Sequence, residues 1–132
     1  MNDIRRLLAL LVPTTLIATA VVPPSGAGEQ QYPDVIAVKV QARAPDRFDF
    51  DVTVSSPYDT PQRYADAFRV TGKDGKLYGE RILLHDHADE QPFTRDLYGV
   101  TIPPGVRSVT VQARDQKYGY GGKTVEVSLP GR

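Results

Sequence analysis

The run from Arg47 to Ser55 alternates without a break: Phe48, Phe50, Val52 and Val54 are apolar, and Asp49, Asp51, Thr53 and Ser55 are polar. Successive side chains of an extended chain point to opposite faces, so this period of two makes one wet face and one face that must be covered. A helix, with its period of about 3.6, would scatter the same residues around its axis. The alternation recurs where Ile36, Val38, Val40 and Ala42 interleave with Ala37, Lys39, Gln41 and Arg43. It returns at Val109, Val111 and Ala113, and again at Val125, Val127 and Leu129. No window of helical length carries the i, i+3, i+4, i+7 apolar pattern with caps, so the chain reads as all-β.

The segments between these runs are rich in turn formers. Pro45 ends the first strand, and Ser56-Pro57-Tyr58-Asp59-Thr60-Pro61 follows the second. A third strand from about Arg63 to Thr71 meets a fourth, Leu77 to Leu84, across Lys73-Asp74-Gly75-Lys76, where Asp-Gly is a hairpin signal. The charged run His85 to Pro92 leads into a fifth strand, Phe93 to Val100, and Thr101 to Gly105 turns the chain into the sixth. A glycine-rich link from Asp115 to Lys123 leads to the seventh. About seven short strands with regularly spaced turns predict an immunoglobulin-like or fibronectin-III-like antiparallel sandwich, with a small barrel as the alternative. The chain has neither cysteine nor tryptophan, so the disulfide-and-tryptophan core of antibody domains is absent and stability must come from apolar packing.

Residues 1–27 read as an export signal: Arg5 and Arg6 precede the apolar run Leu7 to Val22, and the small residues Ser25-Gly26-Ala27 follow. Cleavage is expected after Ala27, with Ala18-Thr19-Ala20 as the alternative. The apolar run is shorter than the roughly 20 residues a membrane span takes, and Pro13 interrupts it. The expectation is therefore one β-sandwich domain over residues 28–132, free in the periplasm or secreted, with no stable membrane anchor after processing. Sixteen basic residues balance 16 acidic ones. Removing Asp3, Arg5 and Arg6 leaves the balance near neutral, so no nucleic-acid footprint is expected.

His85 and His87 are the only histidines, and in an extended segment positions i and i+2 project to the same side. Both imidazoles could then approach one Cu or Zn ion, with Glu90, or Asp89 or Asp115, supplying an oxygen. The competing reading makes them solvated loop residues beside an acidic cluster. In Tyr118-Gly119-Tyr120-Gly121-Gly122, Tyr118 and Tyr120 could present two aromatics to a protein or small ligand, or simply pack over the end of the sandwich. Alternation places Asp66 between Tyr64 and Phe68, and Arg95 between Phe93 and Leu97, each a charge on an apolar face. Mutual pairing of Asp66 with Arg95 is the expected solution. No nucleophile elbow, phosphate-binding glycine loop or metalloprotease helix occurs, so nothing raises the prior for an enzyme.

Tyr64-Ala65-Asp66, the stretch His85 to Arg95 with its His-x-His start, and Gly119-Tyr120-Gly121-Gly122 resemble a family of small, functionally uncharacterised exported proteins of proteobacteria. The resemblance covers most of residues 28–132 and implies no known activity. It places further histidines where this chain has Arg63 and Tyr118, which implies that any shared metal site is depleted here. The leading expectation is a non-catalytic binding or interaction module, using the end of the sandwich that carries the His85–Glu90 and Asp115–Lys123 loops. A transition-metal binder comes second and a hydrolytic enzyme third.

Overall fold

The computed structural model describes residues 30–132; the expected export signal lies outside them. Seven strands form: β1 (Asp34–Ala44), β2 (Arg47–Ser55), β3 (Ala65–Thr71), β4 (Leu77–Ile82), β5 (Phe93–Thr101), β6 (Ser108–Asp115) and β7 (Gly119–Ser128). They make two antiparallel sheets, one ordered β1-β2-β5 and one ordered β4-β3-β6-β7. This is the expected sandwich, with β2 supplying the middle of the smaller sheet.

The core lies between the sheets. Phe48, Phe50, Val52 and Val54 of β2 face Phe68 and Val70 of β3 and Val109, Val111 and Ala113 of β6, all buried. Phe93 and Val100 of β5 close it with Ile102, Leu83 and Leu129, while Val125 and Val127 of the edge strand β7 are partly buried against it. With no disulfide available, this contact carries the stability; truncating a core valine such as Val52 to alanine removes about 1–3 kcal/mol.

Departures from simple alternation come at bulges. In β1, Val35 pairs with Val54 and Ala37 with Thr53, so Ile36 is the extra residue. Val35 enters the core, Ile36 is half-exposed, and Ala42 is exposed. In β3, Ala65 pairs with Asp115 and Ala67 with Arg114, which leaves Asp66 as the extra residue and shifts the phase before Phe68. Asp66 therefore sits on the outer face of the larger sheet, where its carboxylate accepts from Arg114 Nε and Nη2 at 2.8 and 3.2 Å. Arg95 is in the other sheet, opposite Val52, and its guanidinium bonds Glu90 at 2.9 and 3.3 Å. The expected Asp66–Arg95 pair is thus replaced by two pairs: the bulge turns Asp66 outward, and the edge position of β5 lets Arg95 reach the loop before it.

The glycine-rich segment is mostly strand rather than link. Only Gln116–Tyr118 turns the chain between β6 and β7. Gly121 pairs with Ala113, and a Cβ on Gly121 would overlap the ring of Tyr32. Gly122 has φ +76°, and a Cβ there would overlap the Pro33 carbonyl oxygen. These glycines admit the segment that leads into β1, which Lys123 N–H then fixes by donating to Asp34 Oδ1 at 2.8 Å.

Candidate functional site

Strand direction places the N-terminal segment and the β2–β3, β4–β5 and β6–β7 loops at one end of the sandwich, so the His85–Glu90 and Asp115–Tyr118 segments do lie at the same end. Two buried carboxylates organise it. Asp59 sits in the β2–β3 loop between two prolines, which keep that segment out of any strand. Its Oδ1 accepts from Ala65 N–H at 3.1 Å and its Oδ2 from His87 N–H at 3.0 Å. Burial pushes the Asp59 carboxyl above its usual range, against those hydrogen bonds. Gln91 completes the tie. Its Oε1 accepts from Ser56 N–H at 2.7 Å, and its Nε2 donates to the His87 carbonyl at 3.0 Å and to Ser56 Oγ at 3.3 Å.

Held in this way, the His87 ring is only 6% exposed and stacks on the Phe93 ring, with centroids 3.9 Å apart and planes 13° apart. Its Nδ1 is buried without a hydrogen-bond partner. Burial, then the nearby charge of Arg95 and of His85 when protonated, hold its pKa below the ordinary histidine value, so the ring is neutral at pH 7. His85 is exposed; its Nδ1 donates to the Asp86 carbonyl at 2.8 Å, which leaves Nε2 as the acceptor. The two imidazole centroids are 5.0 Å apart. Both rings line a cleft of about 140 Å³ with Arg81, Leu83 and Arg95, bordered by Ile82 and Leu84.

Glu90, the expected third ligand, faces Arg95, which holds its carboxyl below the usual glutamate range. Asp89 is exposed. Among the described residues no three His, Asp or Glu side chains are grouped as a metal site.

Asp115 is fully buried and turns away from the histidines. It accepts from Tyr58 OH at 2.5 Å, Arg63 Nε at 3.1 Å and the N–H groups of Lys117 and Tyr118, both at 2.8 Å. Burial pushes its carboxyl up, but the Tyr58 hydroxyl, the Tyr118 N–H, Arg63 and the Lys117 N–H together hold it below the usual aspartate range. The Arg63 guanidinium lies over the rings of Tyr58 and Tyr118, 4.3 and 5.0 Å from their centroids, and donates to the Gln31 carbonyl at 2.7 Å. Asp115 therefore latches the β6–β7 turn to the N-terminal segment instead of offering an oxygen to an ion or ligand.

The two tyrosines separate. Tyr118 stays on the turn, partly exposed, whereas Tyr120 is on β7, where its hydroxyl bonds Glu80 and its ring lies 3.7 Å from the Arg69 guanidinium.

Sequence reasoning missed Asp59, Gln91, Tyr58 and Arg63, whose partners are remote backbone groups or a buried carboxylate. It also missed the free edge of β4. Leu83 N–H donates to Asp66 O at 2.9 Å, so by strand alternation the backbone groups of Ile82 point away from β3, while the Leu84 carbonyl, beyond the strand, accepts from Tyr64 OH at 3.4 Å. The Ile82 and Leu84 side chains are 46% and 83% exposed. The signal was present as Ile82-Leu83-Leu84, an apolar triplet that strand alternation cannot bury whole. Comparisons with protein-family models, curated proteins and solved structures gave no match to this chain.

Proposed function

We propose that this protein is an exported, non-catalytic binding module that holds an extended segment of a partner protein along the free edge of β4. The observation that carries this reading is Ile82, exposed at the end of the unpaired edge of β4, with exposed Leu84 two residues beyond it, directly beside the His87–Arg95 cleft. An unpaired edge is a template for another strand, and exposed apolar side chains on it favour pairing. A strand laid along β4 would send alternate side chains to opposite faces. One set would meet Ile82 and Leu84, and the other would reach the gap between the sheets, where Leu83, His87 and Arg95 line the cleft. At about 140 Å³ the cleft suits one side chain; a cavity of about 150 Å³ takes a benzene ring, and small-molecule sites usually run from about 300 Å³ upward. The polar atoms of Asp59 and Gln91 go to backbone groups that set the loop's shape, which fits a site built to hold a surface rather than to move protons. Export rests on residues 1–27 of the sequence.

The test is selection of a displayed random-peptide library on the purified protein. Enriched peptides should bind in extended form, shift the amide signals of Glu80, Ile82 and Leu84, and lose binding to the Ile82→Lys, Leu84→Asp double variant. Peptides that bind the double variant equally well, or an absence of enrichment, would overturn the reading.

The metal-binding reading has one observation in its favour, the two imidazoles 5.0 Å apart on a shared cleft. Arg95 counts against it, because a cation that opposes a proton on His87 also opposes a divalent ion there. Titration calorimetry with Cu(II) at about pH 7.5, where free imidazoles are neutral, separates the two. Equal weak heats from the wild type and the His85→Ala, His87→Ala double variant dispose of the metal.

A further inference from the structure

The opposite end of the sandwich carries a second cleft, larger than the first. Its volume is about 370 Å³, and it lies between the β3–β4 hairpin and the β5–β6 loop. Tyr78 and Val106 give it apolar surface, and Lys73 and Arg107 contribute charge. The ring of Tyr78 rests on Gly72, where a Cβ would stand 3.0 Å from Tyr78 Cε2, so this glycine lets the aromatic pack inward at the cleft.

Among the described residues, two cations line this cleft without a carboxylate partner, as several exposed lysines elsewhere also lack one, but here they stand beside an aromatic ring. Arg43, Arg63, Arg81, Arg95 and Arg114 each face a carboxylate. Arg132 is held by the carbonyls of Pro45, Ile102, Pro103 and Val106. Among the described residues Lys73 and Arg107 have no ion-pair partner, and both are exposed. The one carboxylate in the lining, Asp74, accepts from Lys76 N–H at 3.1 Å within its own turn. An aromatic ring beside two unneutralised cations, in a volume within the usual range for small ligands, recognises a flat or ring-shaped body that carries negative charge.

We infer that this cleft binds a small ring bearing a carboxylate, of monosaccharide size, with the ring against Tyr78 and Val106 and the carboxylate on Arg107 and Lys73. A guanidinium can take a carboxylate through two parallel hydrogen bonds, which fixes the ring's orientation as well as its charge. The site is at the opposite end of the sandwich from Ile82, Leu84 and the His87–Arg95 cleft, so its success or failure is independent of the peptide-binding reading.

Amide NMR titration of the purified protein tests it with four probes: glucuronate, benzoate, glucose and inorganic phosphate. Glucuronate or benzoate should shift the signals of Gly72, Lys73, Gly105 and Ser108, the stronger of the two identifying a sugar acid or an aromatic acid as the ligand class. Glucose should shift them little, and phosphate less than the ring carboxylates. Arg107→Gln should weaken the carboxylate about tenfold, the loss of one charge-assisted contact, with an unchanged melting temperature because the side chain is exposed. Shifts of equal size from glucose, phosphate binding as strong as that of the ring acids, an unaffected Arg107→Gln variant, or no shift from either acid would each overturn the inference.

Discussion

The two sides of the sandwich close in different ways. On one side β1 and β7 come together through the backbone: Tyr32 lies on Gly121, Pro33 on Gly122, and Asp34 accepts from Lys123 N–H. On the other side β4 and β5 are joined by side chains. Arg81 donates to the Asp96 carbonyl at 2.6 Å and to its carboxylate at 2.8 Å, and Gly79 lies against Leu97 and Val100. The first side is closed where Tyr32–Asp34 meet Gly121–Lys123, whereas the second leaves Ile82 and Leu84 in water and a cleft behind them. A sandwich of this kind can therefore be sealed where glycine permits backbone contact and kept available where it relies on charged side chains.

The largest effect is expected on the sealed side. Gly122→Ala combines a positive φ, costing about 1–3 kcal/mol, with an overlap on the Pro33 carbonyl that the side chain cannot avoid, so a total near 3–5 kcal/mol is expected in urea unfolding. Gly121→Ala overlaps a side chain instead and should cost about 1–3 kcal/mol. Tyr32→Ala in that background should recover part of the loss. An alanine at 122 with an unchanged unfolding midpoint would mean that this side is not closed by backbone contact.

A smaller effect, dependent on pH, belongs to the loop at the open side. The His87 pKa is lowered in the folded protein, so between that value and about 6.5 the unfolded chain binds more protons. The stability this neutral ring contributes is present above about pH 6.5 and is lost as pH falls through the folded value. One proton sets the limit, about 1.4 kcal/mol per pH unit. Asp59 works in the other direction: its raised pKa contributes stability below about pH 3.8 that is lost as pH rises through its folded value. Its protonation in acid therefore offsets part of the histidine loss. Unfolding free energies from denaturant titrations should fall from about pH 7.5 to 5.5 in the wild type and fall less in His87→Phe, which keeps an aromatic against Phe93. Parallel profiles for the two proteins would show that His87 is not the group responsible.

The sequence made the sealed side hard to see and the core easy. Phe48 to Val54 announced β2 because one strand, paired on both edges, keeps strict alternation, and the hairpin at Asp74-Gly75 was equally plain. Ile36 and Asp66 misled because a single inserted residue reverses the phase, and nothing local marks the insertion. Gly119 to Gly122 read as a loop since glycine signals turns; here it signals the approach of Tyr32 and Pro33, residues far away in sequence. The charge on Arg95 was placed on the correct face, but its partner depended on a strand lying at a sheet edge, which alternation does not encode. The His-x-His pair was found by residue type, while Asp59, which fixes His87, was invisible because it bonds backbone groups that any residue would supply.

The smallest expected effect is at Arg81, and it is the sharpest test of the difference between the sides. Arg81 and Asp96 are 36% and 46% exposed, so water screens their attraction, and Arg81→Gln should change global stability by only about 0.2–1 kcal/mol. Its local consequence should be larger. With the tie removed, the end of β4 is held to the rest of the molecule by its pairing with β3 and by the contacts of Gly79 and Leu83. Amide hydrogen exchange at Arg81 and Leu83, whose N–H groups face β3, should then quicken, while exchange in β7 stays as it was. Equal acceleration in both strands would mean that the two sides open together and that the sandwich has no separately adjustable edge. An unfolding loss of several kcal/mol would carry the same message, because a surface ion pair cannot supply that much unless the β4–β5 side is as tightly closed as the glycine side.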